Sequence, residues 1–297
     1  MIELDEVEPL AKLTTIGTGG PSRAFARPAS LAELEQALAW AAQRGLAVAT
    51  VGLGSNLLAA DRGVDALVLR LAGALANVET GEGTLTAGGG ATNAVCLHAA
   101  RRTGLGGLEF ACAIPGTAGG GVWMNAGAYG SDWAEILVRA RVVTAAGAGW
   151  LTPTELGLSY RHSELRHGQV VAEVEYRLTP RPPEEIRATV SELIARRKAT
   201  QPTNKRTFGS VFKNPEHELG AGRMLEVCGL KGHAIGGAVI SPKHANFIEN
   251  AGDATSADAV ALIAEARRRA SEQFGVHLHP EVQLLGALEI PPLSASG

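Results

Sequence analysis

Residues 114–130 read IPGTAGGGVWMNAGAYG, and this stretch decides how the fold is interpreted. It lies in an uncharged run from residue 110 to residue 131, which is long enough to cross a membrane as a helix. Pro115, Asn125 and six glycines make a poor helix with few large apolar side chains for lipid, which argues against a membrane segment. We interpret the stretch as a turn region whose backbone closely approaches a large flat or phosphorylated ligand.

A second glycine-rich loop, GLGSNLL at residues 52–58, follows a predicted strand. This position invites the dinucleotide-binding fingerprint G-x-G-x-x-G, but Leu57 stands where the third glycine belongs and no amphipathic helix follows. A P-loop is excluded because the sequence has no Gly-Lys dipeptide. The loop is therefore either an ordinary tight turn or, with Ser55 and Asn56, a nest of N–H groups that holds a phosphate.

The composition is that of a globular protein of about two domains. Its 297 residues are 45% hydrophobic and 19% charged, which excludes a disordered chain and a small disulfide scaffold. With 27 Lys and Arg against 30 Asp and Glu, the net charge of −3 provides no basic field for nucleic acid or anionic membranes. Cys96, Cys112 and Cys228 form no paired framework, and the acidic residues 1–10 contain no signal-peptide run. We expect a cytoplasmic protein without nucleic-acid or membrane partners.

Capping residues and hydrophobic spacing predict the elements of the first half of the chain. Ser30 and Glu33 form a predicted capping box ahead of a helix that ends at Gly45. Apolar and other residues alternate from residue 135 to residue 143, which predicts a strand of a mixed or antiparallel sheet. The remaining predicted elements are strands at 47–51, 66–71, about 85–87 and 170–178, and a helix at 92–102.

The segment TPRPP at residues 179–183 can continue neither a strand nor a helix, and we place the domain boundary there. Beyond it, the spacing of Ile186, Val190, Leu193 and Ile194 predicts a helix with one apolar face. Further helices are predicted at 222–228 and 260–274, and strands at 238–241 and 282–285. The predicted fold class is α+β, with a first domain at 1–179 and a smaller second domain at 184–297.

Seven motifs occur in the order that is typical of one enzyme family. The motifs are GLGSNLL (52–58), PGTAGGGVWMNAGAYG (115–130), SYRHS (159–163), GSVFKNP (209–215), AGRMLEVCGLKG (221–232), HANFIEN (244–250) and HPEV (279–282). With them the chain resembles the UDP-N-acetylenolpyruvoylglucosamine reductases, flavoenzymes of peptidoglycan precursor synthesis in cell-wall biogenesis, over roughly residues 15–282.

The resemblance implies the two-subdomain FAD-binding fold of the vanillyl-alcohol oxidase and p-cresol methylhydroxylase type, with subdomains of about 1–75 and 76–179. A smaller α+β substrate-binding domain follows. FAD is expected to bind noncovalently, with the two glycine loops around its pyrophosphate, and no metal is expected. This agrees with the absence of a Rossmann fingerprint. The residues implied to bind the cofactor are Gly52, Gly54, Ser55, Asn56, Gly116, Thr117, Gly119, Gly120, Asn125 and Ala126.

The reaction that the resemblance implies is the NADPH-dependent reduction of UDP-N-acetylglucosamine enolpyruvate to UDP-N-acetylmuramate. An enol ether accepts hydride poorly unless negative charge on its α-carbon and carboxylate is stabilised, so the site needs a cation or strong donors and a proton source. Arg161 and Glu281 match the family's residues for this polarisation, and Ser210 matches its proton donor. Lys213 and Asn214 are expected to contact the substrate, and no protein partner is expected.

Each of these residues also has an ordinary structural interpretation. Without its motif, Arg161 is a surface arginine, Glu281 begins a strand, and Ser210 caps a helix or a turn. His277, His279 and Glu281 alternate as a two-histidine, one-carboxylate metal site would, so a metalloenzyme is one rival hypothesis. A regulatory module that binds a nucleotide without catalysis is the other.

The spacing after the arginine motif indicates the short, second type of the family. Residues 162–169 alone separate Arg161 from the next predicted strand, whereas some members carry a long insertion with a substrate-covering tyrosine there. Movement of the C-terminal domain is the expected substitute for that cover. The candidates for binding the UDP diphosphate are Lys213, Arg223, Lys231 and Lys243.

Overall fold

A computed structural model describes residues 4–5 and 8–293. The predicted domain limits at residues 1 and 297, and part of the acidic segment 1–10, lie outside the described residues. Seven α-helices occur within the described ranges, together with short 3-10 helices at Leu10–Lys12, Gly73–Ala76 and Glu109–Ala113. The α-helices are α1 (Leu31–Gln43), α2 (Asn93–Arg102), α3 (Ala118–Trp123), α4 (Trp133–Ile136), α5 (Pro183–Thr200), α6 (Ala221–Val227) and α7 (Ser256–Phe274).

The chain divides into two units, each built from separate stretches of sequence. Of the described residues, unit 1 comprises 4–5, 23–53 and 66–197, and unit 2 comprises 8–22, 54–65 and 198–293. The predicted boundary at residues 179–184 differs from this division, because most of α5 belongs to unit 1. Two segments from the first quarter of the chain belong to unit 2.

Unit 1 contains a five-stranded antiparallel sheet whose strand order is Gly147–Leu151, Leu137–Thr144, Val170–Arg177, Thr84–Gly88 and Val78–Thr80. A mixed sheet has the order Leu4–Asp5, Ser22–Ala26, Val64–Leu69 and Ala47–Thr50. Its last two strands are parallel and its first two are antiparallel. Two-stranded ribbons join Gly127–Ala128 to Ser131–Asp132 and Leu105–Gly106 to Thr179–Pro180.

Aromatic side chains fix the centre of unit 1. Trp133 is 1% exposed and donates from Nε1 to the hydroxyl of the fully buried Tyr176 at 2.6 Å. The ring of Phe110 meets Trp133 edge-on at 4.9 Å between centroids. A second apolar cluster packs Leu34 and Leu38 of α1 over the mixed sheet. Burying such side chains contributes about 1.5–3 kcal/mol each, so these two clusters dominate the stability of the unit.

The capping signals predicted the first helix well. Ser30 is the N-cap of α1 and accepts a hydrogen bond from Glu33 N–H at 3.3 Å, and Gly45 follows with φ of +60°. The capping box is only half formed, because the Glu33 carboxylate accepts from Ala29 N–H at 2.7 Å instead of from Ser30. Both arrangements satisfy backbone N–H groups that the first helical turn leaves unpaired.

The predicted strand at 135–143 begins later than its alternation suggested. Residues up to Ile136 form the short helix α4, and the strand runs over Leu137–Thr144. Irregular pairing at Leu137/Arg139 and at Arg141/Val142 shifts the register twice. These shifts interrupt the regular alternation of side chains between the two faces of the sheet.

The TPRPP interpretation was wrong on both points. Thr179–Pro180 pairs with Leu105–Gly106 as a short strand, which attaches the segment to unit 1. Pro183 is the first residue of α5, a position where the missing N–H has no helical partner in any case. The predicted apolar face of α5 is also incomplete, because Ile186 is buried whereas Ile194 is 36% exposed.

Unit 2 is built on a four-stranded antiparallel sheet with the order Thr207–Ser210, Phe247–Asn250, Ala238–Ile240 and Ala234–Ile235. Helix α7 is confirmed, but it begins earlier than the predicted residue 260, in a complete capping box formed by Thr255 and Asp258, and Gly275 is its C-cap. The parallel pair Leu57–Ala59 and Gln283–Leu285 joins distant parts of the chain. Ile16 and Leu58 lie in the same apolar core as Phe208 and Leu262.

Candidate active site

The GLGSN loop passes from unit 1 to unit 2 between Leu53 and Gly54. In unit 1, a Cβ on Gly52 would lie 2.7 Å from Oγ1 of Thr117, so the two predicted cofactor loops touch at this point. In unit 2, Gly54 is buried with φ of +64°, and a Cβ there would lie 1.9 Å from the carbonyl oxygen of Leu13. Thr15 N–H donates to the Gly54 carbonyl at 3.1 Å. Only glycine therefore fits at position 54.

The glycines of 116–121 serve two different purposes. Thr117 is the N-cap of α3 and accepts from Gly120 N–H at 3.3 Å. A Cβ on Gly119 would lie 2.9 Å from the Gly89 carbonyl oxygen, and one on Gly121 would lie 2.6 Å from the Trp133 ring. Both glycines are required by packing within unit 1, which corrects the inference that only a ligand explains them. Gly120 is exposed and has room for a side chain, so packing does not explain it.

A cleft of about 440 Å³ opens in unit 1 between α2 and α5, beside Leu53, Pro115 and Gly116. Apolar side chains line most of it, and two of the lining residues, Arg101 and Arg197, carry positive charge. The other lining residues are Thr92, Ala94, Leu97, His98, Ala111, Cys112, Ile114, Val190 and Ile194. This surface, apolar with two guanidinium groups, suits a flat aromatic group that carries phosphate.

Burial and a neighbouring charge shift the pKa of the Cys112 thiol, which lines this cleft, in opposite directions. Partial burial raises the pKa of Cys112, while the nearby Arg197 guanidinium lowers it. Cys96, on the buried side of α2, has its pKa raised to about 12 by burial. Both thiols therefore stay protonated at neutral pH, as unreactive cysteines do.

Arg161 lies in unit 1 at the tip of a two-residue turn. Ser159 and His162 pair through both backbone hydrogen bonds, each 3.1 Å long, and Arg161 has φ of +53°. Its guanidinium donates from Nη2 to the Gly127 carbonyl, and its charged end lies 5.0 Å from the ring centroid of Tyr160. A non-glycine residue in the left-handed region of φ is uncommon, and such strain is concentrated at functional sites.

Asn125 and Gly127 supply the two carbonyl groups that accept from Arg161, and Ala126 lies between them. Asn125 is 1% exposed, and Arg161 Nη1 donates to its backbone oxygen at 3.5 Å. Ala126 N–H donates to the Gly121 carbonyl at 2.9 Å, and its own carbonyl accepts from Trp133 N–H at 3.1 Å. The N–H of Ala126 is thus used within the protein, while its carbonyl oxygen keeps a second lone pair.

Ser210 and Glu281 lie in unit 2 on extended segments that run side by side. Glu281 N–H donates to the Val211 carbonyl at 2.8 Å, and Lys213 N–H donates to the His279 carbonyl at 3.0 Å. Ser210 ends the strand Thr207–Ser210 and precedes Val211 directly. The structure thus brings the GSVFKNP and HPEV motifs together.

Asn56 joins this pair from the GLGSN loop. Its Nδ2 donates to the Glu281 carbonyl at 3.1 Å, and its own carbonyl accepts from Gln283 N–H at 3.0 Å. Gln283 also donates from Nε2 to the Glu281 carbonyl at 3.2 Å. No sequence pattern points to Gln283, because its contact depends on the register between two distant segments.

Several predicted substrate-binding groups already have protein partners. Asn214 Oδ1 accepts from Ala221 N–H at 3.0 Å, which satisfies a backbone donor at the start of α6. Lys231 and Arg223 both pair with Glu226, at 2.8 and 3.1 Å. Lys213 is half-buried, and Lys243 Nζ donates to the Lys198 carbonyl. Their roles toward a substrate remain predictions.

Two further observations concern the alternatives of a metal site and a membrane helix. Within residues 4–5 and 8–293, no group of three or more His, Cys, Asp or Glu side chains is arranged to hold a metal ion. Over the same residues, no helix combines the length and the apolar character that crossing a membrane demands.

Two family descriptions match separate parts of the chain. The FAD binding domain matches residues 22–149, and the C-terminal domain of UDP-N-acetylenolpyruvoylglucosamine reductase matches residues 201–285. The predicted order, a cofactor domain followed by a family-specific C-terminal domain, is confirmed.

Similar proteins cover nearly the whole chain. UDP-N-acetylenolpyruvoylglucosamine reductase 2 of Symbiobacterium thermophilum is 43% identical over 94% of this chain and 91% of its own. The reductase of Anaeromyxobacter dehalogenans is 43% identical over 97% of this chain and 87% of its own. The crystal structure of the Thermus caldophilus reductase has a TM-score of 0.84 at 34% identity, covering 96% of this chain and all of that chain.

Proposed function

The chain belongs to the UDP-N-acetylenolpyruvoylglucosamine reductase family, and we propose that Arg161, Ser210 and Glu281 perform its chemistry. It is an NADPH-dependent FAD oxidoreductase that reduces UDP-N-acetylglucosamine enolpyruvate to UDP-N-acetylmuramate in peptidoglycan precursor synthesis. The observation that carries this assignment is the 43% identity to a reductase over 94% of the chain.

The described residues fit FAD. Gly52 against Thr117 forms a cradle that a Cβ would fill, and the adjoining cleft is apolar with Arg101 and Arg197 on its wall. In unit 2 we propose that the backbone of Gly54 to Asn56 contributes to holding the pyrophosphate. Bound noncovalently, FAD supplies a hydride carrier between NADPH and the substrate.

Arg161 and Glu281 are proposed to polarise the enolpyruvyl group. The Arg161 guanidinium provides the positive charge that an α-carboxylate and a developing enolate require. Glu281 can stabilise the same charge only by donating a hydrogen bond, so we propose that its carboxyl acts in the protonated form. The turn supports the role of Arg161, because glycine or asparagine is favoured at φ of +53° and arginine is not.

Ser210 is proposed to donate its hydroxyl proton to the α-carbon. A serine hydroxyl is a weak acid, so the transfer requires the strongly basic carbon of an enolate. Asn56 and Gln283 fix the Glu281 carbonyl, and Glu281 N–H is bonded to the residue after Ser210. These bonds hold the backbone of both reacting groups in one register. Lys213 and Asn214 are proposed to contact the substrate.

We propose that unit 1 binds most of the cofactor and that unit 2 binds the substrate, in a cytoplasmic enzyme. The absence of a long insertion between Arg161 and the strand Val170–Arg177 supports the short form of the family. We further propose that the domains 1–179 and 184–297 divide the chain by function, whereas the two units divide it by packing.

The purified protein tests the proposal directly. Acid precipitation should leave a colourless pellet and a yellow supernatant that contains FAD. With NADPH and the enolpyruvyl substrate, the protein should form one UDP-N-acetylmuramate for each NADPH consumed. A regulatory nucleotide module would bind ligand without forming product, and a metalloenzyme would lose activity to a chelator. Flavin that stays on the precipitated chain would contradict noncovalent binding.

A further inference from the structure

We propose that Asn125 is a positioning residue that sets the orientation of the Arg161 guanidinium. The resemblance placed Asn125 near the flavin, whereas the geometry of unit 1 connects it to the catalytic arginine. The proposal rests on the proposed function of Arg161 and adds a residue that acts through it.

The Asn125 side chain uses its whole amide within the protein. Nδ2 donates one hydrogen to the Ser159 carbonyl at 2.9 Å and the other to Oδ2 of Asp132 at 3.2 Å. Oδ1 accepts from Ala134 N–H at 2.9 Å. With the residue 1% exposed, the amide reaches no ligand, and any influence on the reaction passes through these partners.

Two of the three partners belong to the segments that hold Arg161. Ser159 opens the turn at whose tip Arg161 stands. Asp132 lies in the ribbon of Gly127–Ala128 and Ser131–Asp132, and the Gly127 carbonyl accepts from Arg161 Nη2. One amide group therefore ties the backbone of the arginine to the backbone that receives its guanidinium.

Asn125 also supplies an acceptor itself, since Arg161 Nη1 donates to its backbone oxygen at 3.5 Å. Its φ of +38° aims this carbonyl, and asparagine is among the few side chains that tolerate left-handed backbone. A Cβ on Gly127 would lie 2.8 Å from Arg161 Nη1, so the guanidinium fits closely against this backbone. The arginine thus has one well-defined orientation.

The test uses the holoenzyme and two variants of Asn125. Asn125→Asp keeps the size and the backbone preference but replaces both donors with oxygen facing Asp132 and the Ser159 carbonyl. Asn125→Gly keeps the backbone conformation and removes the side chain. We expect both to retain FAD with unchanged affinity and normal flavin reduction by NADPH, and to bind the enolpyruvyl substrate about 10-fold more weakly, as loss of an oriented charged contact does.

A double-mutant cycle separates positioning from general destabilisation. In an Arg161→Lys background, where the guanidinium is absent, the Asn125 substitutions should cause little further loss of substrate affinity. The matched control is Asn93→Asp, another buried asparagine of unit 1, whose Nδ2 donates to the Ile114 carbonyl at 2.9 Å. Its effect should add to that of Arg161→Lys without coupling.

A pH profile gives a second readout. The carboxyl introduced by Asn125→Asp faces Asp132, and like charge favours its protonation. As pH falls it regains one donor, so substrate affinity should recover in this variant and not in Asn125→Gly. Loss of FAD from both variants, additive effects in the cycle, or equal pH profiles would each overturn the positioning role. Normal substrate reduction by Arg161→Met would instead contradict the proposed function itself.

Discussion

The two regions that carry the proposed chemistry are held in opposite ways. In unit 1, Arg161 stands at the tip of a turn with left-handed backbone, and hydrogen bonds from side chains fix it. In unit 2, Ser210 and Glu281 stand on extended segments, and backbone hydrogen bonds fix their register. The turn gives one charge a single direction, whereas the paired segments set the spacing of two groups. The orientation of Arg161 should therefore depend on individual neighbouring side chains, and the spacing of Ser210 and Glu281 on the register of their backbones.

The largest effect is expected from unit 2. Ser210→Ala should slow the oxidation of reduced flavin by substrate by about 10² to 10⁴, because that is the usual cost of losing a positioned general acid. Bleaching of the flavin by NADPH should stay normal. Ser210→Cys should restore part of the rate, since a thiol also donates a proton. Rapid-mixing absorbance at the flavin band measures each half-reaction, and near-normal oxidation in Ser210→Ala would assign the proton to another donor.

A matched pair of variants then compares the two regions through the residues that share one proposed role, Arg161 in unit 1 and Glu281 in unit 2. Arg161→Met and Glu281→Met each remove the proposed hydrogen-bond donor and keep the length of the side chain. Each should lower the rate of substrate reduction by roughly 10² or more, the usual cost of losing a group that stabilises the developing anion. Reduction of the flavin by NADPH should hardly change in either. A variant that loses both half-reactions to the same degree would show that its residue positions the cofactor.

A smaller effect, on FAD affinity, is expected at Asn56, where the GLGSN loop contacts Glu281. Asn56→Asp places a carboxylate near the proposed pyrophosphate site, and repulsion between like charges should weaken FAD binding by about 10-fold. The matched control is Gln283→Ala, which removes the other side-chain donor to the Glu281 carbonyl. Its FAD affinity, measured by fluorescence titration, should match that of the unaltered protein. If both variants bind FAD equally well, the GLGSN loop does not contact the pyrophosphate.

The smallest effect concerns stability at the turn. Left-handed backbone costs a side chain roughly 1–2 kcal/mol, and glycine costs about 0.5–1 kcal/mol of extra entropy, so Arg161→Gly should be more stable than Arg161→Met by up to about 1 kcal/mol. Both variants should lack substrate reduction. Urea unfolding of the two proteins provides the measurement. Equal stability would mean that the turn relaxes when the guanidinium is removed.

Local signals in the sequence predicted the elements whose ends are set by local contacts. The first helix follows the predicted N-cap Ser30 and is followed by the predicted stop Gly45, whereas the cap of α7 at Thr255 precedes the predicted start at residue 260 and was missed. The attachment of residues 179–180 to unit 1 could not be predicted, because the pairing of Thr179–Pro180 depends on a partner strand more than 70 residues earlier. Propensity cannot report such a partner.

The site residues show the same limit. The motifs identified Arg161, Ser210 and Glu281 by resemblance, and their roles remain predictions. The positive φ of Arg161, the amide network of Asn125 and the bond from Asn56 to Glu281 all depend on tertiary contacts that no local pattern encodes. Glycine misled the interpretation in one respect, since Gly119 and Gly121 are explained by the Gly89 carbonyl and the Trp133 ring.

The parallel pairing of Leu57–Ala59 with Gln283–Leu285 affects folding during translation. Leu57 cannot pair until Gln283 has been synthesised, 226 positions later. At about 5–20 residues per second, translation takes roughly 10 to 45 seconds to supply that strand. Until Phe208 has been synthesised, 150 positions after Leu58, Ile16 and Leu58 have no native partners from the C-terminal part of unit 2. The nascent chain therefore depends on delayed closure, and chaperones that shield apolar segments should raise its yield more than that of a protein whose domains are continuous in sequence.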